Sequence, residues 1–168
     1  MADNAPIKVR FYRFRNVLRD KVGAGGGATA KIDPAAVEKA AAALAAMAED
    51  YPDWVAKHIE QLRLHHARCV DTPGERTRHY GGMREIAHDM KGQGGTFGYP
   101  LMTTFAASLY DFVGPNAGTT DAHVEIIKSH IDAMAAVIKE RVKGNGGQIG
   151  QALTKGLKDA IDRYNRVA

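Results

Sequence analysis

The stretch Glu85–Gly98, EIAHDMKGQGGTFG, sets the reading of the whole chain. Its histidine, His88, is followed by Lys91 at +3 and Gly92 at +4. On a helix those offsets are neighbours on one face, with Cβ atoms roughly 5–6 Å apart. Gly95 lies one turn further along that face, and Arg84 and Glu85 one turn back. The opposite face carries Met83, Ile86, Ala87, Met90, Gly94 and Phe97 at helical spacing. The pattern predicts an amphipathic helix whose histidine points away from the core, with a cation and bare backbone beside it.

The glycines run against that helix. Each one in a helix interior costs about 0.8–1 kcal/mol relative to alanine. A helix that simply ends at Gly92 would explain them. Alternatively, the backbone beside His88 must be open to close approach. Gly94 faces the core, where it allows tight helix packing. Gly92 and Gly95 share the face of His88, and for them docking is the expectation.

The pattern H-x-M-K-G-x-x-x-x-F-G over His88–Gly98 resembles the signature of histidine-containing phosphotransfer (HPt) domains. The resemblance covers roughly residues 34–143. It implies an antiparallel up-and-down four-helix bundle in which His88 accepts a phosphoryl group and exchanges it with the aspartate of a response-regulator receiver domain. It further implies that Lys91 stabilises the phosphate and that Gly92 leaves room for the receiver; Arg84 and Gly95, which share that helix face, are expected to join the docking surface. A hybrid sensor kinase is a further implied partner. Two positions depart from the family pattern: Asp89 directly follows the histidine, and Tyr110 stands twenty-two positions on, where a glutamine often helps hold the phosphoryl group.

The 168 residues suit one domain with extensions, and 45% apolar content is enough for a core. No apolar run approaches the ~18 residues of a membrane span. No apolar segment of the secretory kind follows the N-terminus. The single cysteine, Cys69, excludes an intramolecular disulfide and fits a reducing cytoplasm, the expected location. Cys69 ends an apolar pattern and reads as buried filler. Much of the net charge of +4 comes from the N-terminus, so it does not by itself argue for nucleic acid. Neither nucleic acid nor membrane is an expected partner, and no cofactor or metal is expected.

Three segments are expected: a basic arm and glycine-rich linker over 1–30, an HPt-like helical bundle over 31–143, and a C-terminal helix over 144–168. In the arm, residues 7–21 hold six Lys or Arg and one Asp. Ile7, Val9 and Phe11 alternate with cations and read as extended. Such a basic and aromatic stretch can bind RNA or membranes; the expectation here is an arm whose aromatics pack on the domain while its charges stay solvated. Residues 23–30, GAGGGATA, are a flexible linker by composition.

Asp33-Pro34 starts a helix as N-cap and first helical residue. It is expected to run to about Glu49, with Val37, Leu44, Met47 and the alanines forming a small-residue packing face. Tyr51-Pro52-Asp53 should break it, since the residue before proline is pushed out of helical geometry. A second helix from Asp53 to about Val70 has Trp54, Val55, Ile59, Leu62 and Ala67 on its apolar side. His58, His65 and His66 lie there too, without the carboxylate or cysteine company a metal site needs. The His88 helix follows over about 75–96. Another runs from Tyr99-Pro100 to Val113, with Met102, Phe105, Ala106, Leu109 and Phe112 as its stripe. The next is capped by Thr120 or Asp121 and shows Val124, Ile127, Ile131, Met134, Ile138 and Val142. After a flexible joint at 144–147, a last helix over 149–164 presents Leu153, Leu157 and Ile161. The architecture expected is all-α, an antiparallel four-helix bundle with extra N-terminal and C-terminal segments.

Phosphoryl transfer asks the protein for an in-line nucleophile and charge neutralisation. A neutral imidazole serves as the first near pH 7, and Lys91 supplies the second. No Walker glycine loop or kinase glycine loop is present, so the chain is expected to carry phosphoryl groups without kinase activity of its own. Other readings stay open. His88-Asp89-Met90-Lys91 also looks like the histidine box of a dimeric sensor-kinase helix, although Gly92 and Gln93 follow where such kinases continue with Thr or Asn and Pro, and no ATP-binding domain is present. Glu85-x-x-His88 is half of a di-iron carboxylate motif, but no second such pair exists. A bundle that binds a partner through this surface without phosphorylation is the third alternative.

Overall fold

The computed structural model describes residues 33–167 together with Phe11, Tyr12, Phe14, Arg15 and Val17. The chain divides into two compact units, residues 1–40 and 41–168. Five α-helices and one 3-10 turn make up the described regular structure: α1 (Pro34–Asp71), the turn Pro73–Glu75, α2 (Arg76–Gln93), α3 (Pro100–Phe112), α4 (Asp121–Lys139) and α5 (Gly147–Val167). There is no strand among the described residues. No described helix is long and apolar enough to cross a membrane.

In the first unit, Phe11, Tyr12 and Phe14 are exposed. Ile7, Val9 and the linker 23–30 lie outside the described residues. α1 opens as its sequence predicts: the Asp33 carboxylate accepts a hydrogen bond from the Ala35 amide at 3.0 Å.

The predicted break at Tyr51-Pro52 does not occur. α1 is one helix with Pro52 inside it. An internal proline costs about 3 kcal/mol. Against that, Tyr51, Val55, Ile59 and Leu62 recur at intervals of four, four and three and are all buried. Each fully buried large apolar side chain contributes about 1.5–3 kcal/mol, so the stripe outweighs the proline. The alanine-rich start of α1 differs from expectation too. Residues 34–47 are all exposed, including Val37, Leu44 and Met47, so the small-residue face is not packed. Alanine favours the helix itself while offering little area to bury. Trp54 and Ala67, placed on the apolar side by pattern, are also exposed, although the Trp54 ring meets Phe97 edge-on at 6.3 Å.

α2, α3, α4 and α5 pack each against the next in chain order. Their buried stripes are Tyr80, Met83, Ala87 and Met90 on α2; Leu101, Met102, Phe105, Ala106 and Leu109 on α3; and Val124, Ile127, Ile131, Met134 and Ile138 on α4. The Thr120 hydroxyl caps α4, accepting from the His123 amide at 3.2 Å. α4 ends at Lys139, before Val142, which is half-buried and donates its amide to Val137. Leu157 of α5 is buried, and Leu153 and Ile161 pack on the core. Tyr164 anchors α5, its hydroxyl 3.1 Å from His123 Nδ1. The expected loose joint at 144–147 is a tied turn: the Gly144 amide donates to the Gly98 carbonyl at 2.9 Å, and Gly147 donates to Asn145 Oδ1 at 3.1 Å.

Arg76 is buried at the first turn of α2, and no pattern announced it. Its guanidinium donates to the Cys69 carbonyl at 2.9 Å, to the Thr119 carbonyl at 2.6 Å and to the Asp121 carboxylate at 2.5 Å. One side chain thereby joins the end of α1, the start of α2 and the entry to α4. Cys69 is buried beside it, and burial pushes its thiol up to about 11, so it is protonated and inert at neutral pH.

Candidate functional site around His88

α2 turns Met83, Ala87 and Met90 into the core and leaves His88, Lys91 and Gly92 exposed. All seven histidines are described; His88 is exposed, and the others are half-buried or buried. His123 and His130 are buried. Burial pushes His130 down to about 4, and its ring nitrogens are held by the Ile126 carbonyl at 2.8 Å and the Ser108 hydroxyl at 2.9 Å. Burial lowers His65 as well, with His79 beside it adding to the effect.

The centre of the site is a residue of the next helix. The Tyr110 ring of α3 lies 5.8 Å from the His88 ring. Arg84 Cζ stands 4.1 Å from the centre of the Tyr110 ring, and Lys91 Nζ 5.3 Å from it. Arg84, His88 and Lys91, at intervals of four and three on α2, thus surround one aromatic ring. A concavity of about 540 Å³ opens there, lined by Gly81, Arg84, Glu85, His88, Asp89 and Tyr110. A larger concavity of about 640 Å³ lies between α4 and α5, lined by residues such as Ile126 and Tyr164. No histidine lines it.

The glycines of the motif separate by role. Gly92 is helical and exposed, and a Cβ added there would meet nothing within 4 Å. Gly95 lies beyond the end of α2 rather than on the helix face assigned to it, and its amide donates to Thr103 Oγ1 at 2.9 Å. The helix expected over 75–96 stops at Gln93, and residues 94–98 form a turn. Gly94 is buried at that turn. Gly98 follows at φ +85°, in the left-handed region that favours glycine. Phe97 is buried and packs on Tyr51, ring centroids 4.8 Å apart. The second half of the motif is therefore built into the turn and the core, and the first half is exposed.

In the sequence Tyr110 stands out only as a departure from a family pattern. The signal that could have found its role is the column Arg84, His88, Lys91, in which two cations flank a histidine along one face. Among the described residues no group of three histidine, cysteine or acidic side chains is arranged to hold a metal ion, so Glu85 with His88 gains no partners. Comparison with protein-family models, curated proteins and solved structures finds no match.

Proposed function

We propose that this chain is a phosphorelay intermediate of the HPt kind. His88 accepts a phosphoryl group from the aspartyl phosphate of a receiver domain and can return it. The helices form the antiparallel up-and-down four-helix bundle of that family, with α5 added and the N-terminal segments preceding it. An unprotonated imidazole nitrogen of His88 attacks phosphorus in line. The bond from phosphorus to the aspartate oxygen breaks, the carboxylate leaves as its anion, and the second imidazole nitrogen keeps its proton. Lys91 neutralises charge on the phosphoryl oxygens, and open backbone at Gly92 admits the receiver.

The observation that carries this reading is the placement of His88. It is the exposed histidine on a helix whose other face is core, with Lys91 and bare Gly92 next to it and a concavity at its side. Incubation with a panel of receivers bearing labelled aspartyl phosphate tests it. Label should move to this chain from at least one receiver and return to the same receiver when that receiver is supplied unphosphorylated. Label that never leaves any receiver counts against the reading.

A further inference from the structure

A phosphoryl group on imidazole carries close to two negative charges, more than one flexible lysine offsets. The cation best placed to share that load is Arg84. It lies one helical turn before His88, and both line the same concavity of about 540 Å³. Arg84 makes no ion pair among the described residues. Its guanidinium is held in two other ways. It lies against the Tyr110 ring, 4.1 Å from the centre. On another side the backbone of Gly114 leaves it room: a Cβ there would come within 3.2 Å of Arg84 Nη1. An aromatic face attracts a cation without neutralising it, whereas a carboxylate partner would occupy its donors. Arg84 thus rests on the Tyr110 ring with no hydrogen bond of its guanidinium among the described residues, and it lines the same concavity as the nucleophile.

We propose that Arg84 is a second ligand of the phosphoryl group on His88, and that Tyr110 is the positioning residue that holds it there. The inference rests on the phosphotransfer reading above and deepens it. A guanidinium can donate two parallel hydrogen bonds to two phosphoryl oxygens, which a lysine ammonium cannot match in geometry. The Tyr110 ring, rather than its hydroxyl, is the working part. It occupies the place where the family often has glutamine, and it recruits an arginine from the neighbouring helix instead of touching the phosphate.

The test is the rate and lifetime of phosphohistidine formed with phosphoramidate, a donor that needs no protein docking. In the unsubstituted protein His88 should be labelled. Arg84→Ala should lower the labelling rate about tenfold and shorten the lifetime of the label, with Arg84→Lys restoring only part. Tyr110→Leu should reproduce the Arg84→Ala loss, and Tyr110→Phe, which keeps the ring, should rescue it. Because Tyr110 acts through Arg84, the double variant Arg84→Ala with Tyr110→Leu should be no slower than Arg84→Ala alone. Thermal melts of each variant identify any that fail to fold, and the lifetime comparison among the folded ones then decides. Label on His88 with an indifferent Arg84→Ala overturns this inference and leaves the phosphotransfer reading standing. Additive losses in the double variant, or equal loss in Tyr110→Phe and Tyr110→Leu, also overturn it. Absence of label in the unsubstituted protein overturns both.

Discussion

Gly94 is pressed against Thr103: a Cβ at Gly94 would lie 2.7 Å from Thr103 Oγ1 and 2.8 Å from the Thr103 amide nitrogen. The Tyr99 carbonyl would be 2.9 Å away on another side. Two of these three atoms are backbone and cannot turn aside. Gly94→Ala should therefore destabilise the protein by about 1–3 kcal/mol, the usual range for overpacking. Two residues earlier the same change meets open space, and Gly92→Ala should be neutral or stabilise by up to about 1 kcal/mol. Urea unfolding of the two variants side by side checks the contrast; equal midpoints would contradict it.

Gly92 earns its interest from what a longer side chain would do. Gly92→Gln keeps a helix-forming residue in an exposed position, so helicity by circular dichroism should be unchanged. The added side chain projects beside His88 and holds a protein donor away. About 1 Å of misplacement can cost about 100-fold in an in-line reaction. Transfer from a phosphorylated receiver should collapse, while labelling by acetyl phosphate or phosphoramidate should largely survive. Equal loss with both donor types would mean that Gly92 shapes the histidine itself.

Acid should weaken the fold through His130. Unfolded, a histidine binds its proton near pH 6.5; folded, burial delays this in His130 to about 4. Between those values the unfolded chain holds more protons, so stability rises with pH across that window. The contribution is complete above about pH 6.5, declines as pH falls toward 4, and is on the order of 3 kcal/mol in all. His123, also lowered by burial, acts in the same direction. The melting temperature should fall between pH 7 and pH 4.5, and less steeply in His130→Gln. An identical fall in that variant would assign the acid sensitivity elsewhere.

Much of this was legible in the sequence where periodicity is long. The stripes of α3 and α4 and the caps at Asp33 and Thr120 are local features, and the chain kept them. The continuity of α1 was not legible, because the rule for proline is local while the burial of Tyr51, Val55, Ile59 and Leu62 that outweighs it is tertiary. Adjacent glycines look alike in sequence; only the approach of Thr103 separates Gly94 from Gly92. The column Arg84, His88, Lys91 could be read directly, but the ring it surrounds belongs to another helix.

Nor does any sequence pattern announce the burial of Arg76, whose neighbours come from three separate segments. Its side chain is 6% exposed, whereas that of its ionic partner Asp121 is 92% exposed. Replacing Arg76 by methionine keeps bulk but removes the donors to the Cys69 and Thr119 carbonyls. Cys69 is buried and its carbonyl would be left unpaired, at a cost of about 1–3 kcal/mol, whereas Thr119 is exposed and water can replace the lost donor, so Arg76→Met should destabilise by about 1–3 kcal/mol. Asp121→Asn should cost less, because the Asp121 carboxylate is itself exposed, water screens its charge, and the asparagine keeps an oxygen that can accept from Arg76. Comparable losses in chemical denaturation would show that the ion pair, rather than the carbonyl contacts, holds these helix ends together.

Site mapping of the phosphorylated protein tests most directly whether His88 is the phosphate carrier. After reaction with labelled phosphoramidate, the label should be acid-labile and base-stable, and fragment mapping should place it on His88. His88→Gln should abolish it while the melting temperature stays the same, since the side chain is exposed and the core face of α2 is untouched. Label that persists in His88→Gln, carried by His58, His65, His66 or His79, would contradict the assignment.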